Sequence, residues 1–108
     1  MTADPERSVR TYAAIGPGPA WRPGVDVYGQ DPGPIRRHLA HMEALFDEGT
    51  LLVGGPEEHG LSGFALFATG SVADAHARMA ADPAVHAGIF TFTFHELRPY
   101  FDAFARNG

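Results

Sequence analysis

Cysteine is absent from the 108 residues. Disulfides and thiolate metal sites are therefore excluded. Positive charge is scarce: 8 Lys and Arg stand against 13 Asp and Glu, for a formal net charge of -5. No basic stripe exists to neutralise phosphates, which argues against nucleic acid as a partner. The adjacent pair Arg36-Arg37 reads as a solvated helix face. No apolar run approaches the length that spans a bilayer, and MTADPERS has no signal-peptide pattern. The expectation is a soluble cytoplasmic protein with no membrane partner.

What is present is a globular composition, 44% hydrophobic and 19% charged. The length suits one domain over residues 1–108. The stretch HLAHMEALFDEGTLLVGGP, from His38 to Pro56, organises the chain. It reads as a helix begun near Pro34, a stop at Gly49, a strand from Thr50 to Val53 and a Gly-Gly-Pro turn. At about 100° per residue, Leu39, Phe46, Ile35, Met42 and Leu45 share one arc. His38 falls inside that arc and His41 at its border. An imidazole among core residues loses hydration and needs a partner. His38 is thus the first candidate for function. The competing reading is a structural histidine bonded to a backbone carbonyl, and for a lone histidine that is the commoner case.

The remainder follows in order. Ser8 to Ile15 alternates, with Val9, Thr11, Ala13 and Ile15 on one side, and predicts a first strand. Gly16 to Pro34 holds five Gly and five Pro in nineteen residues and reads as a loop. It carries Trp21, either an anchor on the core or part of a lid. Leu61 to Thr69 predicts a strand with Phe64, Leu66 and Ala68 on one face and Ala65 and Phe67 on the other. Ser71, with Asp74 three residues on, resembles a capping box and opens a second helix with Val72, Ala75 and Met79 inward. Asp82-Pro83 ends that helix and caps a turn through His86. Ile89 to Leu97 is the last strand, with Phe90, Phe92 and Phe94 on one face. Residues 98–108 form a terminal extension whose Tyr100, Phe101 and Phe104 would dock on the sheet.

The order β-α-β-β-α-β predicts an α+β, ferredoxin-like sandwich: one antiparallel sheet with both helices on one face. Apolar groups also fall on the other face of the central strands, where exposure costs about 25 cal/mol per Å². A second copy is the simplest cover, so a homodimer packed sheet to sheet is expected.

The segments GPGPAWRPG, Gln30, HLAHMEALFDEGTLLVGGP and ADPAVHAGIFTFTFHELRPY resemble the YCII-related (YciI-like) family of the dimeric α/β-barrel superfamily. The likeness runs from about Val9 to Tyr100. It rests on a histidine, Gly49 eleven residues later, Gly54-Gly55-Pro56, and Ala81-Asp82-Pro83. The resemblance implies the same dimeric fold and a site built from His38 and Asp82, with Gly54, Gly55 and Pro56 beside the substrate. It also implies chemistry of dehydrochlorinase type on chlorinated aromatic breakdown products in some members. His41 and the acidic loop Glu57-Glu58-His59 depart from the pattern.

A His–Asp pair performs general acid–base work when the carboxylate fixes the imidazole tautomer. Trp21 and the Phe and Tyr residues would supply an aromatic wall. No phosphate loop, thiolate or flavin signature is present, which leaves a cofactor-free lyase or isomerase acting on a small compound. Two further readings stand beside it. Asp82 before Pro83 is a good helix N-cap and needs no catalytic role. The chain also fits a non-catalytic small-molecule binding or accessory dimer. Both helices are expected to run parallel in this fold, which places His38 near the start of one and Asp82 past the end of the other, so that their direct contact is not assured without a tilt of the first helix or a water bridge. His38, His41 and either His59 or His76 would suit zinc by number. His38 and His41 diverge by about 60° around the helix, which favours scattered histidines over a metal site.

Overall fold

The computed structural model of the protein describes residues 9–106. The polar segment from Met1 to Arg7, expected to fray, lies outside the described residues, as does Ser8. Four strands form one antiparallel sheet: β1 (Arg10–Pro17), β2 (Leu51–Pro56), β3 (Gly63–Phe67) and β4 (Phe90–Leu97), in the order β2-β3-β1-β4. The helices are α1 (Pro32–Asp47), α2 (Val72–Ala80), and two short turns, α3 (Pro83–His86) and α4 (Ala103–Arg106). This is the ferredoxin-like arrangement expected from the element order.

Alternation along each strand decides which side is covered. Thr11, Ala13 and Ile15 are buried, and their sheet partners Phe67, Ala65 and Phe92 share that side. Phe67 and Met79 are the largest fully buried apolar side chains. Thr11 is buried without penalty because its hydroxyl donates to the Thr69 carbonyl at 2.9 Å. The opposite side carries Tyr12, Ala14, Phe64 and Leu66.

Local chemistry sets the helix ends. Asp31 caps α1 by accepting from Gly33 N–H at 3.4 Å, and Pro32 takes the first helical position. The helix thus begins two residues before Pro34. It closes in a Schellman motif: Gly49 N–H donates to the Phe46 carbonyl and Thr50 N–H to the Leu45 carbonyl. Gly49 sits at φ 84, a conformation that favours glycine. The inward arc differs from the helical-wheel reading. Pro34 and Leu45 are buried and His38 half-buried, whereas Leu39 and Phe46 are 61% and 57% exposed. The wheel counts hydrophobicity, and α1 is turned so that its histidines face α2 and α3.

Strand directions correct the expected helix orientation. β1 is antiparallel to β3, and β3 to β2, so β1 and β2 run the same way. Helix α1 returns from the end of β1 to the start of β2; α2 returns from the end of β3 to the start of β4. The two helices therefore run antiparallel. The start of α1 and the end of α2 lie at the same edge of the sandwich, where Pro17 pairs with Phe90.

Three other expectations change. Gly54-Gly55-Pro56 is not a turn: it extends β2 and pairs with Ala65, Phe64 and Gly63. The turn falls later, at residues 57–60, where Gly60 N–H donates to the Glu57 carbonyl at 2.9 Å. Within residues 16–34, β1 runs on to Pro17 and a 3-10 turn forms over Val27–Gly29. Of the terminal aromatics expected to dock, Tyr100 and Phe101 are 76% and 97% exposed and Phe104 44%. Arg10 ties the segment to β1: its guanidinium donates to Asp102 at 2.8 Å and keeps that carboxyl below its ordinary range.

Candidate active site

The antiparallel helices bring His38 to Asp82. His38 stands on the second turn of α1, and Asp82 joins α2 to α3 at the facing end. His38 Nδ1 lies 2.5 Å from Asp82 Oδ2. The other carboxylate oxygen, Oδ1, accepts from Ala84 N–H at 2.9 Å and caps α3. The cap and the histidine contact, rival readings of Asp82, are thus made together by its two oxygens. The Asp82 side chain is 0% exposed and that of His38 14%. A carboxylate acceptor at Nδ1 fixes the proton there and leaves Nε2 as the free lone pair. Among the described residues, Nε2 has no hydrogen-bond partner.

The His38 ring meets the edge of Phe90 at 5.0 Å between centroids and lines a cavity of about 210 Å³. Gly54 and Gly63 line it from the sheet and add no side chain to it. Ile35, Leu39 and Met42 form its roof, Ile15 and Leu51 its floor. Gly55 and Pro56 also line it, on the strand that the sequence reading had as a turn. Leu61, Ser62 and Phe64 line it as well, from beyond the β2–β3 turn and from β3.

The remaining wall is the loop of residues 18–30. Trp21 packs on the core against Phe90, at 6.2 Å and tilted by 40°, and also lines the cavity. Anchor and wall are one role here. Gly18 N–H and Ala20 N–H donate to the carbonyls of Ile89 and Gly88 at 2.8 and 2.7 Å. A Cβ at Gly18 would stand 2.3 Å from the Gly88 oxygen, so only glycine allows that approach. Val27 N–H donates to the Gly60 carbonyl at 2.8 Å and ties the loop to the β2–β3 turn.

Inside this loop sits a residue that sequence reasoning did not single out for a role. Gln30 is buried. Its carbonyl accepts from Arg22 N–H at 2.7 Å, and its amide donates to the carbonyls of Arg22, Val25 and Asp26 at 3.1, 3.3 and 3.2 Å. One side chain thus reaches four backbone groups of a Gly- and Pro-rich segment, its two amide N–H shared among three carbonyls, and the Asp26 carbonyl also accepts from Gly29 N–H at 3.0 Å. A lone polar residue just before the Asp31 cap was the available signal.

The other histidines do different work. His41 Nε2–H donates to the Arg78 carbonyl at 2.8 Å, which satisfies an acceptor in the last turn of α2. His76 lies exposed against the rings of Phe92 and Phe94. His59 is exposed in the β2–β3 turn. Among the described residues, no three His, Asp or Glu side chains converge as a metal site would require.

No family model matches the chain, and no curated protein matches it in sequence. Among solved structures it is similar to 5-chloro-2-hydroxyhydroquinone dehydrochlorinase (TftG) from Burkholderia phenoliruptrix AC1100, in complex with 2,5-dihydroxybenzoquinone. The TM-score is 0.52 at 20% identity, over 85% of this chain and 95% of that one. The likeness carries the fold. No described helix is long and apolar enough to cross a membrane.

Proposed function

We propose that the chain is a YciI-like, cofactor-independent enzyme of lyase or isomerase type. In this reading His38 Nε2 moves a proton on a small ring compound while Asp82 holds the imidazole. The observation that carries it is the 2.5 Å His38–Asp82 contact on the wall of an apolar, ring-sized cavity. A buried carboxylate behind an imidazole, with the far nitrogen open to a hollow, is what a general base requires. The similar fold of a dehydrochlorinase supports the reaction class. In loss of HCl the base takes a proton, the electron pair left by the broken C–H or O–H bond becomes a new double bond, and chloride leaves with the C–Cl electron pair. No external oxidant or reductant enters.

The test is chloride release from chlorinated hydroxyhydroquinones by the wild-type chain and by His38→Gln. The variant is expected to lose about 10²- to 10⁴-fold in rate while keeping its melting temperature within a few degrees. A variant that retains the rate refutes the role of His38. A wild-type chain that binds such compounds but turns over neither them nor related ring compounds is the non-catalytic binder instead.

The homodimer belongs to the same proposal. Tyr12 stacks on Phe64 at 6.3 Å on the side of the sheet opposite Thr11, Ala13 and Ile15, and Leu66 pairs with Tyr12. Burying such a patch is the usual reason for a two-fold contact between sheets. Sedimentation should give twice the 11.6 kDa of one chain, and Leu66→Glu should halve it. A wild-type monomer at micromolar concentration would end the proposal.

A further inference from the structure

The cavity also carries information about charge. We infer that its ligand is an uncharged, weakly acidic compound of single-ring size, and that the site rejects carboxylates, phosphates and amines. This rests on the proton-transfer reading of His38 and adds a substrate class to it.

Size comes first. An apolar cavity of about 150 Å³ suffices for benzene in a well-studied engineered case. About 210 Å³ therefore admits a six-membered ring with small substituents.

Charge is decided by the lining. Among the described residues, the lining includes no Arg, Lys, Asp or Glu. An anion entering it would shed hydration and meet no guanidinium or ammonium in exchange. Protonated His38 does not repair this. Its charge is already shared with Asp82, whose buried carboxylate would then face a second anion across one ring. An amine fares no better, because both Asp82 oxygens are occupied by His38 and Ala84. A neutral acid needs no counter-charge: its O–H or activated C–H donates to Nε2.

The rim points the same way. Glu57 accepts from Leu61 N–H at 2.8 Å, and that bond keeps its carboxyl below the ordinary range and hence ionised. Leu61 itself lines the cavity. Glu58 follows in the same turn. Together with a net charge of -5, these carboxylates set a field that repels anions on approach.

Four single-ring probes of similar size test this at pH 7: 4-methylphenol, toluene, benzoate and benzylamine. Binding is read by calorimetry and by the emission of Trp21, the single tryptophan. 4-Methylphenol is expected to bind at least about tenfold more tightly than benzoate or benzylamine. It should also bind more tightly than toluene, and His38→Ala should erase that last difference. Benzoate or benzylamine within about threefold of 4-methylphenol overturns the charge class and leaves the cavity reading intact. A 4-methylphenol advantage over toluene that persists in His38→Ala overturns the acid–Nε2 contact. Silence from all four probes overturns the small-molecule site itself.

Discussion

Asp82→Ala is expected to lower stability by about 3 kcal/mol, while Asp82→Asn lowers it by less than about 1 kcal/mol. The alanine removes two things at once. The α3 cap is worth about 1 kcal/mol. The buried charge-assisted bond to His38 is worth about 1.5–3 kcal/mol, and its loss leaves an imidazole N–H unsatisfied. For a chain of this size the melting temperature should fall by roughly 10–15 °C. The asparagine keeps its Oδ1 on Ala84 N–H but presents an N–H to His38 Nδ1. That nitrogen must then accept, so the imidazole proton moves to Nε2. The cavity-facing nitrogen changes from acceptor to donor in a folded protein, and base catalysis should fall by about 10²- to 10⁴-fold. Nitrogen NMR of the histidine rings reads the tautomer directly. An unchanged tautomer in Asp82→Asn, or equal stability of the two variants, contradicts the account.

Gln30→Ala should have the next largest consequence, about 2–3 kcal/mol. The Arg22 N–H and the Arg22 and Val25 carbonyls lose the Gln30 side chain together, while the Asp26 carbonyl keeps Gly29 N–H. Because the same segment carries the chain from Trp21 to Val27 over the cavity, the wall opens. Trp21 emission should move to the red and become accessible to acrylamide. Gln30→Glu separates donors from size. It keeps an acceptor for Arg22 N–H but turns a carboxylate toward three carbonyls that need a donor. It should be at least as harmful as alanine. An unchanged Trp21 spectrum in both variants would show that the loop is held by its ends alone.

Much of the fold was legible because alternation and punctuation agree. Thr11, Ala13 and Ile15 alternate with Tyr12 and Ala14, and burial follows that period. Ser71 and Asp82 cap the helices they were expected to cap. Where side chains are missing, period is missing too. Gly54-Gly55-Pro56 carries no alternation, and its strand character comes from pairing with β3. Proline is tolerated there because β2 is an edge strand.

For the candidate site, residue types pointed to His38, whereas its geometry needed partners distant in sequence. The fate of Asp82 was undecidable locally, since both uses of its carboxylate draw on the same residue type. Helix orientation settled their approach, and it follows from strand directions that no single segment encodes. His41 sat at the border of an apolar arc, yet its partner is the Arg78 carbonyl on the other helix. Gln30 acts wholly inside an irregular loop, where no periodicity exists to mark it.

The two members of the His38–Asp82 contact stand 44 residues apart, one from the β1-α1-β2 half of the chain and one from the β3-α2-β4 half. Neither half can assemble it alone. A truncated chain, or one whose halves have not yet docked, holds no oriented imidazole. Acquisition of the ring tautomer should thus coincide with closure of the sandwich, so that the tautomer doubles as a reporter of complete folding.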